Sequence, residues 1–87
     1  MNVTILFGDR EKKSSVDQIA QRAREAVDLV LARIREKHGS MATSGPIWHS
    51  VAMQISCREE AEYLSLLSAI EGKCAERRVA VMGVRCA

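Results

Sequence analysis

Aromatic residues are scarce in this chain: Phe7, Trp48 and Tyr63 are the only three among 87 residues. Modules that stack nucleic-acid bases need several aromatic side chains on one surface, so the scarcity argues against that class. A long apolar run is also lacking, since residues 79–84 form a stretch far shorter than the ~20 residues of a membrane helix. The formal net charge of +2 is weak. We therefore expect no membrane partner and do not favour nucleic acid.

The chain also lacks an even number of cysteines and any CxxC spacing, since it contains only Cys57, Cys74 and Cys86. This pattern favours neither a disulfide framework nor a zinc site. Residues 1–8 are too short for a signal peptide, and charged residues follow them at once. We expect reduced thiols, a cytoplasmic location and no metal or cofactor.

What the sequence does contain is typical of one globular domain over residues 1–87, with 47% hydrophobic and 28% charged residues. A chain of this length buries only about 65% of the surface that it exposes when unfolded. Its core is therefore small, and self-association is the expected source of further stability. We expect a homo-oligomer, most simply a dimer.

Two helices follow from the spacing of apolar residues. Ser15 and Gln18 have the spacing of a capping box, and helical periodicity continues from there to a stop at Gly39. Ser56 and Glu59 have the same spacing and predict the start of a second helix. The predicted core stripe of that second helix is Ala61, Leu64, Leu67, Ile70 and Cys74.

Strands follow from alternation of apolar and polar residues. Residues 2–7 predict the first strand, residues 47–57 the longest and residues 78–85 the last. In a single strand over 47–57, His49 lies on the core side and Trp48 on the opposite side. Residues 40–44 form a further short edge strand if Gly45 and Pro46 make a turn.

With that edge strand, the order is β-α-β-β-α-β, which resembles the ferredoxin-like split βαβ arrangement. This α+β fold has two helices on one face of an antiparallel sheet. Without the edge strand, a three-stranded β-α-β-α-β mixed sheet is the alternative. The resemblance is at the level of fold only, and fold does not determine function.

The sheet face opposite the helices is the most informative surface, because it lacks the charged residues of a solvated face. The last strand contributes either Val79 and Val81 or Ala80 and Met82 to it. We expect this face to be an oligomer interface that contains Thr4, Leu6, Trp48, Ser50, Ala52 and Gln54. An alternative is a ligand surface with Trp48 as a wall, formed by Trp48, His49, Ser50 and Gln54.

No set of residues for catalysis is evident, and we do not expect an enzyme. His49, Met53 and Cys57 lie ~13 Å apart in succession along a strand, too far to bind one metal ion. The loop after the first strand matches a phosphate-binding loop at Gly8 and at Lys13-Ser14, but Lys12 stands where glycine is required.

The leading hypothesis is an interaction module that self-associates through its uncovered sheet face. A small-ligand sensor or small enzyme of the dimeric α/β-barrel type, with a cavity near His49 and Trp48, is the second hypothesis. A weak nucleic-acid binder is the third.

Overall fold

The computed structural model of the chain describes residues 2–38 and 46–86, which form an α+β fold with two helices and four strands. The elements follow one another as β1 (Asn2–Gly8), α1 (Val16–His38), β2 (Ile47–His49), β3 (Ala52–Ser56), α2 (Glu60–Ala75) and β4 (Ala80–Cys86). The expected edge strand over 40–44 and the stop at Gly39 lie outside the described residues.

The four strands form one antiparallel sheet in the order β2-β3-β1-β4. β1 pairs with β3 on one side and with β4 on the other, and β2 pairs with β3 as a hairpin. The alternative of a three-stranded mixed sheet is therefore wrong, because every pairing in the sheet is antiparallel.

The prediction of one strand over 47–57 is also wrong. The chain reverses at Ser50 and Val51, so this segment supplies two strands, β2 and β3. Ser50 has a φ of 58°, the left-handed conformation that a two-residue hairpin turn requires at its first position. The backbone N–H of Phe7 donates to the carbonyl oxygen of Val51 at 2.9 Å, which fixes the turn against β1.

The core lies between the helices and one face of the sheet. β1 contributes alternate residues to it, and α1 contributes a stripe of alanine and branched aliphatic side chains at helical spacing. No polar or charged residue is buried within the described part of the chain. The buried residues are Val3, Ile5, Phe7, Ala23, Ala26, Val27, Val30, Leu31, Met53, Ile55, Cys57, Leu66, Ile70, Cys74 and Val79.

The first capping box is confirmed at α1. The backbone N–H of Gln18 donates to Ser15 Oγ at 3.2 Å, and that of Ser15 donates to Gln18 Oε1 at 2.9 Å. Two donors that the start of a helix leaves unpaired are thereby satisfied.

The prediction of a second capping box at Ser56 and Glu59 is wrong. Ser56 is the last residue of β3, and its hydroxyl donates to Asn2 Oδ1 at 2.6 Å instead of capping a helix. Glu59 is the N-cap of α2 and makes no side-chain capping bond. The buried stripe of α2 is correspondingly rotated: Leu66, Ile70 and Cys74 are buried, with Tyr63 and Leu67 packed beside them, whereas Ala61 and Leu64 are exposed.

Candidate functional site

The hairpin turn decides which side chains of β2 lie on each face of the sheet. Trp48 pairs with Met53, and Ile47 pairs with Gln54, so odd positions of β2 face the same way as even positions of β3. Met53 is buried beneath the helices. Trp48 therefore lies on the helix-covered side, whereas Ile47 and His49 lie on the opposite side.

This result corrects the expected positions of Trp48 and His49. Trp48 packs against the core, with its ring centroid 5.8 Å from that of Phe7, and the guanidinium of Arg24 lies 5.4 Å from its ring centroid. His49 is exposed on the other face. Ser50 lies in the turn and lines a shallow groove with α1. The four residues of the expected ligand surface are thus not brought together on one wall.

No described element covers the opposite face of the sheet, which we call the uncovered face. The strand register arranges it in rows that run across all four strands. One row contains His49, Ala52, Leu6 and Gly83, and the next contains Ile47, Gln54, Thr4 and Arg85. Thr4, Leu6, Ala52 and Gln54 of the expected interface lie on this face, whereas Trp48 and Ser50 do not.

The last strand presents Ala80 and Met82 to the uncovered face, because Val79 is buried and Val81 packs against the core. The pairing of β1 with β4 shifts between Leu6 and Phe7, and this irregularity leaves Met82 without a partner in the register. A Cβ atom added at Gly8 would lie 2.6 Å from Met82 Cγ. The absence of a side chain at Gly8 therefore leaves room for the side chain of Met82.

Three large apolar side chains stand out on the uncovered face: Leu6 is 46% exposed, Ile47 58% and Met82 53%. Their neighbours in the rows are small or uncharged, and Arg85 is the only formally charged residue among the described residues of this face. The sequence did not identify Ile47 as a member. No local signal could have identified it, because Ser50 and Val51 are not residues that usually form a two-residue hairpin turn.

The loop between β1 and α1 is closed by its own carboxylate. Asp9 Oδ1 accepts from the backbone N–H of Glu11 at 2.9 Å, and Asp9 Oδ2 accepts from those of Lys13 at 3.1 Å and Ser14 at 2.9 Å. Hydrogen bonds from the Ser14 hydroxyl and from these amides lower the pKa of Asp9. The N–H groups that would bind phosphate in a phosphate-binding loop are therefore already satisfied.

The three cysteines are not joined by disulfide bonds; Cys57 and Cys74 are buried, and Cys86 is exposed. Burial raises the pKa of Cys74 to about 11 and also raises that of Cys57. A hydrogen bond with Cys86 and burial raise the pKa of Tyr63. Within the described chain, no three His, Cys, Asp or Glu side chains are grouped closely enough to bind a metal ion.

Neither described helix combines the length and the apolar content that crossing a membrane requires. The chain matches no protein-family model, no curated protein and no solved structure. Its function therefore has to be argued from its own residues.

Proposed function

We propose that this chain is a self-associating interaction module, in which two copies pack their uncovered faces against each other. The observation that carries the proposal is the chemistry of that face. Leu6, Ile47 and Met82 each expose about half of their side-chain surface there. Leu6 and Met82 lie on neighbouring strands, and only the uncharged side chains of β3 separate them from Ile47. Exposed apolar side chains grouped on one surface in this way are typical of an interaction site.

The charge pattern favours a second copy as the occupant. A face without acidic residues among its described members does not complement a basic partner, and its single Arg85 offers little to an acidic one. An uncharged apolar surface is complementary chiefly to another surface of its own kind. A twofold axis brings the same patch of both copies together, as in most homodimers.

The geometry of the face suits sheet-on-sheet packing. Four strands spaced ~4.8 Å apart and about five residues in length give a patch of roughly 300–400 Å² in projection. Two such sheets pack ~10 Å apart with their strands nearly aligned. The two copies together would bury roughly 600–800 Å² of projected area, which is less than a standard specific interface, so we expect a weak dimer with a Kd on the order of micromolar or higher.

The size of the core supports the same proposal. Phe7 is the only aromatic residue among the buried ones, and four of the buried residues have the small side chains of alanine or cysteine: Ala23, Ala26, Cys57 and Cys74. Burying a half-exposed Leu6 or Met82 against a second copy adds apolar burial that the single chain cannot supply.

We assign the fold to the ferredoxin-like type on the order of the strands. Two βαβ units interlock when β1 and β3 lie in the centre and β2 and β4 at the edges, and the sheet order β2-β3-β1-β4 has this form. Such a sheet has helices on one face only, which leaves the other free for a partner.

Sedimentation velocity over a range of concentrations tests the dimer. Leu6→Glu places a charge at the centre of the uncovered face, and Leu29→Glu is its matched control, because the two leucines are 46% and 47% exposed. Leu29 lies on the helix side of the molecule. We expect the wild type and Leu29→Glu to dimerise with the same Kd and Leu6→Glu to remain monomeric.

A wild type that stays monomeric well above micromolar concentration would overturn the proposal. So would a dimer that Leu6→Glu leaves intact, because such a dimer would use the open edges of β2 or β4, or the helices, instead of the face. Heparin retention that falls steeply with salt would favour nucleic acid as the partner.

A further inference from the structure

The end of α2 holds an arginine where glycine is favoured. The backbone N–H of Val79 donates to the carbonyl oxygen of Cys74 at 3.2 Å, the six-residue closure of a Schellman motif. Arg78 occupies the left-handed position of that motif, with a φ of 58°. A side chain at this position strains the backbone, and residues held in that way cluster at functional sites.

Arg78 lines a cleft of about 440 Å³ at the end of the sheet where β1 ends and β4 begins. The volume lies within the range of small-molecule sites. The β1–α1 loop forms one wall, the end of α2 another, and the start of β4 an apolar wall. The lining residues are Asp9, Arg10, Glu11, Glu71, Ala75, Arg78, Val79, Ala80 and Val81.

The two guanidinium groups of the cleft, those of Arg10 and Arg78, make no hydrogen bond or ion pair with any other described residue. The lining also contains three carboxylates, so the arginines would bind an anion by direct contact and not through the net charge of the cleft. Asp9 accepts the three backbone N–H groups of its own loop, and Glu11 lies 3.8 Å from the ammonium group of Lys13. Of the acidic residues in the lining, only Glu71 has no such partner in the described chain.

We propose that this cleft binds a small organic oxyanion, a carboxylate or a phosphate ester that also carries an apolar group. Guanidinium groups bind planar or tetrahedral oxyanions through paired N–H donors, which gives both charge and geometry. Ala75, Ala80 and Val81 supply the surface for the apolar group. The cleft shares only Ala80 with the uncovered face, and its two arginines lie in the loops at the end of the sheet, so anion binding does not require the dimer proposed above.

Titration of isotope-labelled protein with phenyl phosphate and with benzoate, followed by NMR, tests the proposal. We expect saturable shifts of the amides of Ala75, Arg78 and Ala80 with at least one of the two anions, and none with benzyl alcohol, which lacks the charge. The anion that binds identifies the oxyanion class. Inorganic phosphate, which lacks the apolar group, should bind about tenfold more weakly than phenyl phosphate or not at all.

Arg78→Gly distinguishes the backbone strain at position 78 from the contribution of the Arg78 side chain to anion binding. The variant should raise the melting temperature, because glycine adopts the left-handed conformation without strain, and it should weaken anion binding about tenfold. Arg10→Gln should weaken binding to a similar extent without the gain in stability. Arg33→Gln, in the groove between the helices, is the control and should bind as the wild type does.

Glu71→Gln tests whether the cleft binds an anion, because a carboxylate in the lining repels an anion. Removing the negative charge of Glu71 should tighten anion binding several-fold. The proposal is overturned if neither anion produces saturable shifts at these amides. It is equally overturned if Arg78→Gly and Arg10→Gln bind phenyl phosphate and benzoate as tightly as Arg33→Gln.

Discussion

The rings of Phe7 and Trp48 contact each other at a centroid distance of 5.8 Å and an interplanar angle of 31°, although β3 separates their strands in the sheet. Met53, the cross-strand partner of Trp48, lies on the same helix-covered side of the sheet. Trp48 thus joins the edge strand β2 to the core instead of forming the outer surface.

Trp48→Ala should therefore lower the free energy of unfolding by about 2–3 kcal/mol, because it removes apolar contact with Phe7 and leaves a cavity beside the core. Arg24→Gln, which removes only the cation over the ring, should cost about 0.5–1 kcal/mol. Urea denaturation at a concentration that keeps all variants monomeric measures both. A stable Trp48→Ala that merely fails to dimerise would contradict the position of Trp48 described here.

Ser50→Gly should stabilise the chain by roughly 0.5–1 kcal/mol, because glycine adopts a φ of 58° without the steric cost that serine bears. Ser65→Gly, on the exposed surface of α2, is the control and should destabilise by about the same amount. Thermal denaturation of the two variants checks the prediction. Equal losses of stability would show that residues 50 and 51 do not form the turn.

Gly72→Ala should also stabilise, by roughly 0.5–1 kcal/mol. α2 continues through this glycine to Ala75, and no atom lies within 4 Å of the position that a new Cβ would occupy. Gly8→Ala offers the contrast, because its Cβ would meet Met82 Cγ at 2.6 Å. We expect Gly8→Ala to lower the melting temperature and the addition of Met82→Ala to restore part of the loss.

The buried thiol of Cys74 should make stability fall in alkaline solution. Its pKa rises from 9.0 to about 11 on folding, so the folded chain retains a proton that the unfolded chain loses between those values. The stabilisation is complete below pH 9.0 and is lost as the pH rises towards 11, by at most about 3 kcal/mol. Cys74→Ala should flatten this part of a pH series of urea denaturations. A slope that persists in that variant would assign the effect to another group.

Much of the fold could be predicted from local patterns. The alternation of Val3, Ile5 and Phe7 and the capping box of Ser15 and Gln18 both describe contacts within a few residues, and both predictions are confirmed. An α+β fold with two helices and a four-stranded antiparallel sheet is likewise confirmed, although residues 47–49 supply β2, and the expected strand over 40–44 lies outside the described residues.

The position of the hairpin could not be predicted in the same way. The two-residue turn moves the core-facing positions from even numbers in β2 to odd numbers in β3. Because the outward-facing Ile47 is itself apolar, it continues the odd-numbered series of Met53 and Ile55, and residues 47–57 have the pattern of one long strand. Neither Ser50 nor Val51 is a residue that normally marks such a turn. Pairing across the sheet, which the sequence pattern does not contain, places Trp48 under the helices and exposes Ile47.

The cleft at the end of the sheet was not predicted for a related reason. Arg10 and Arg78 are 68 positions apart in the chain, and they line one cleft only because Gly8 pairs with Ala80. The sequence also gives no indication that Arg78 adopts the left-handed conformation, because the residue that usually marks a Schellman motif is glycine.

The two-residue turn at Ser50 and Val51 also determines how the surface of this protein can change. Suppose that one residue is inserted or deleted there while the pairing of β3 with β1 is maintained. The register of β2 would then shift by one residue, and each of its side chains would move to the other face of the sheet. Trp48 would then point away from the helices, and Ile47 and His49 would point towards them. The length of one tight turn thus decides whether an aliphatic or an aromatic side chain lies on the uncovered face, without a substitution at any position of the sheet.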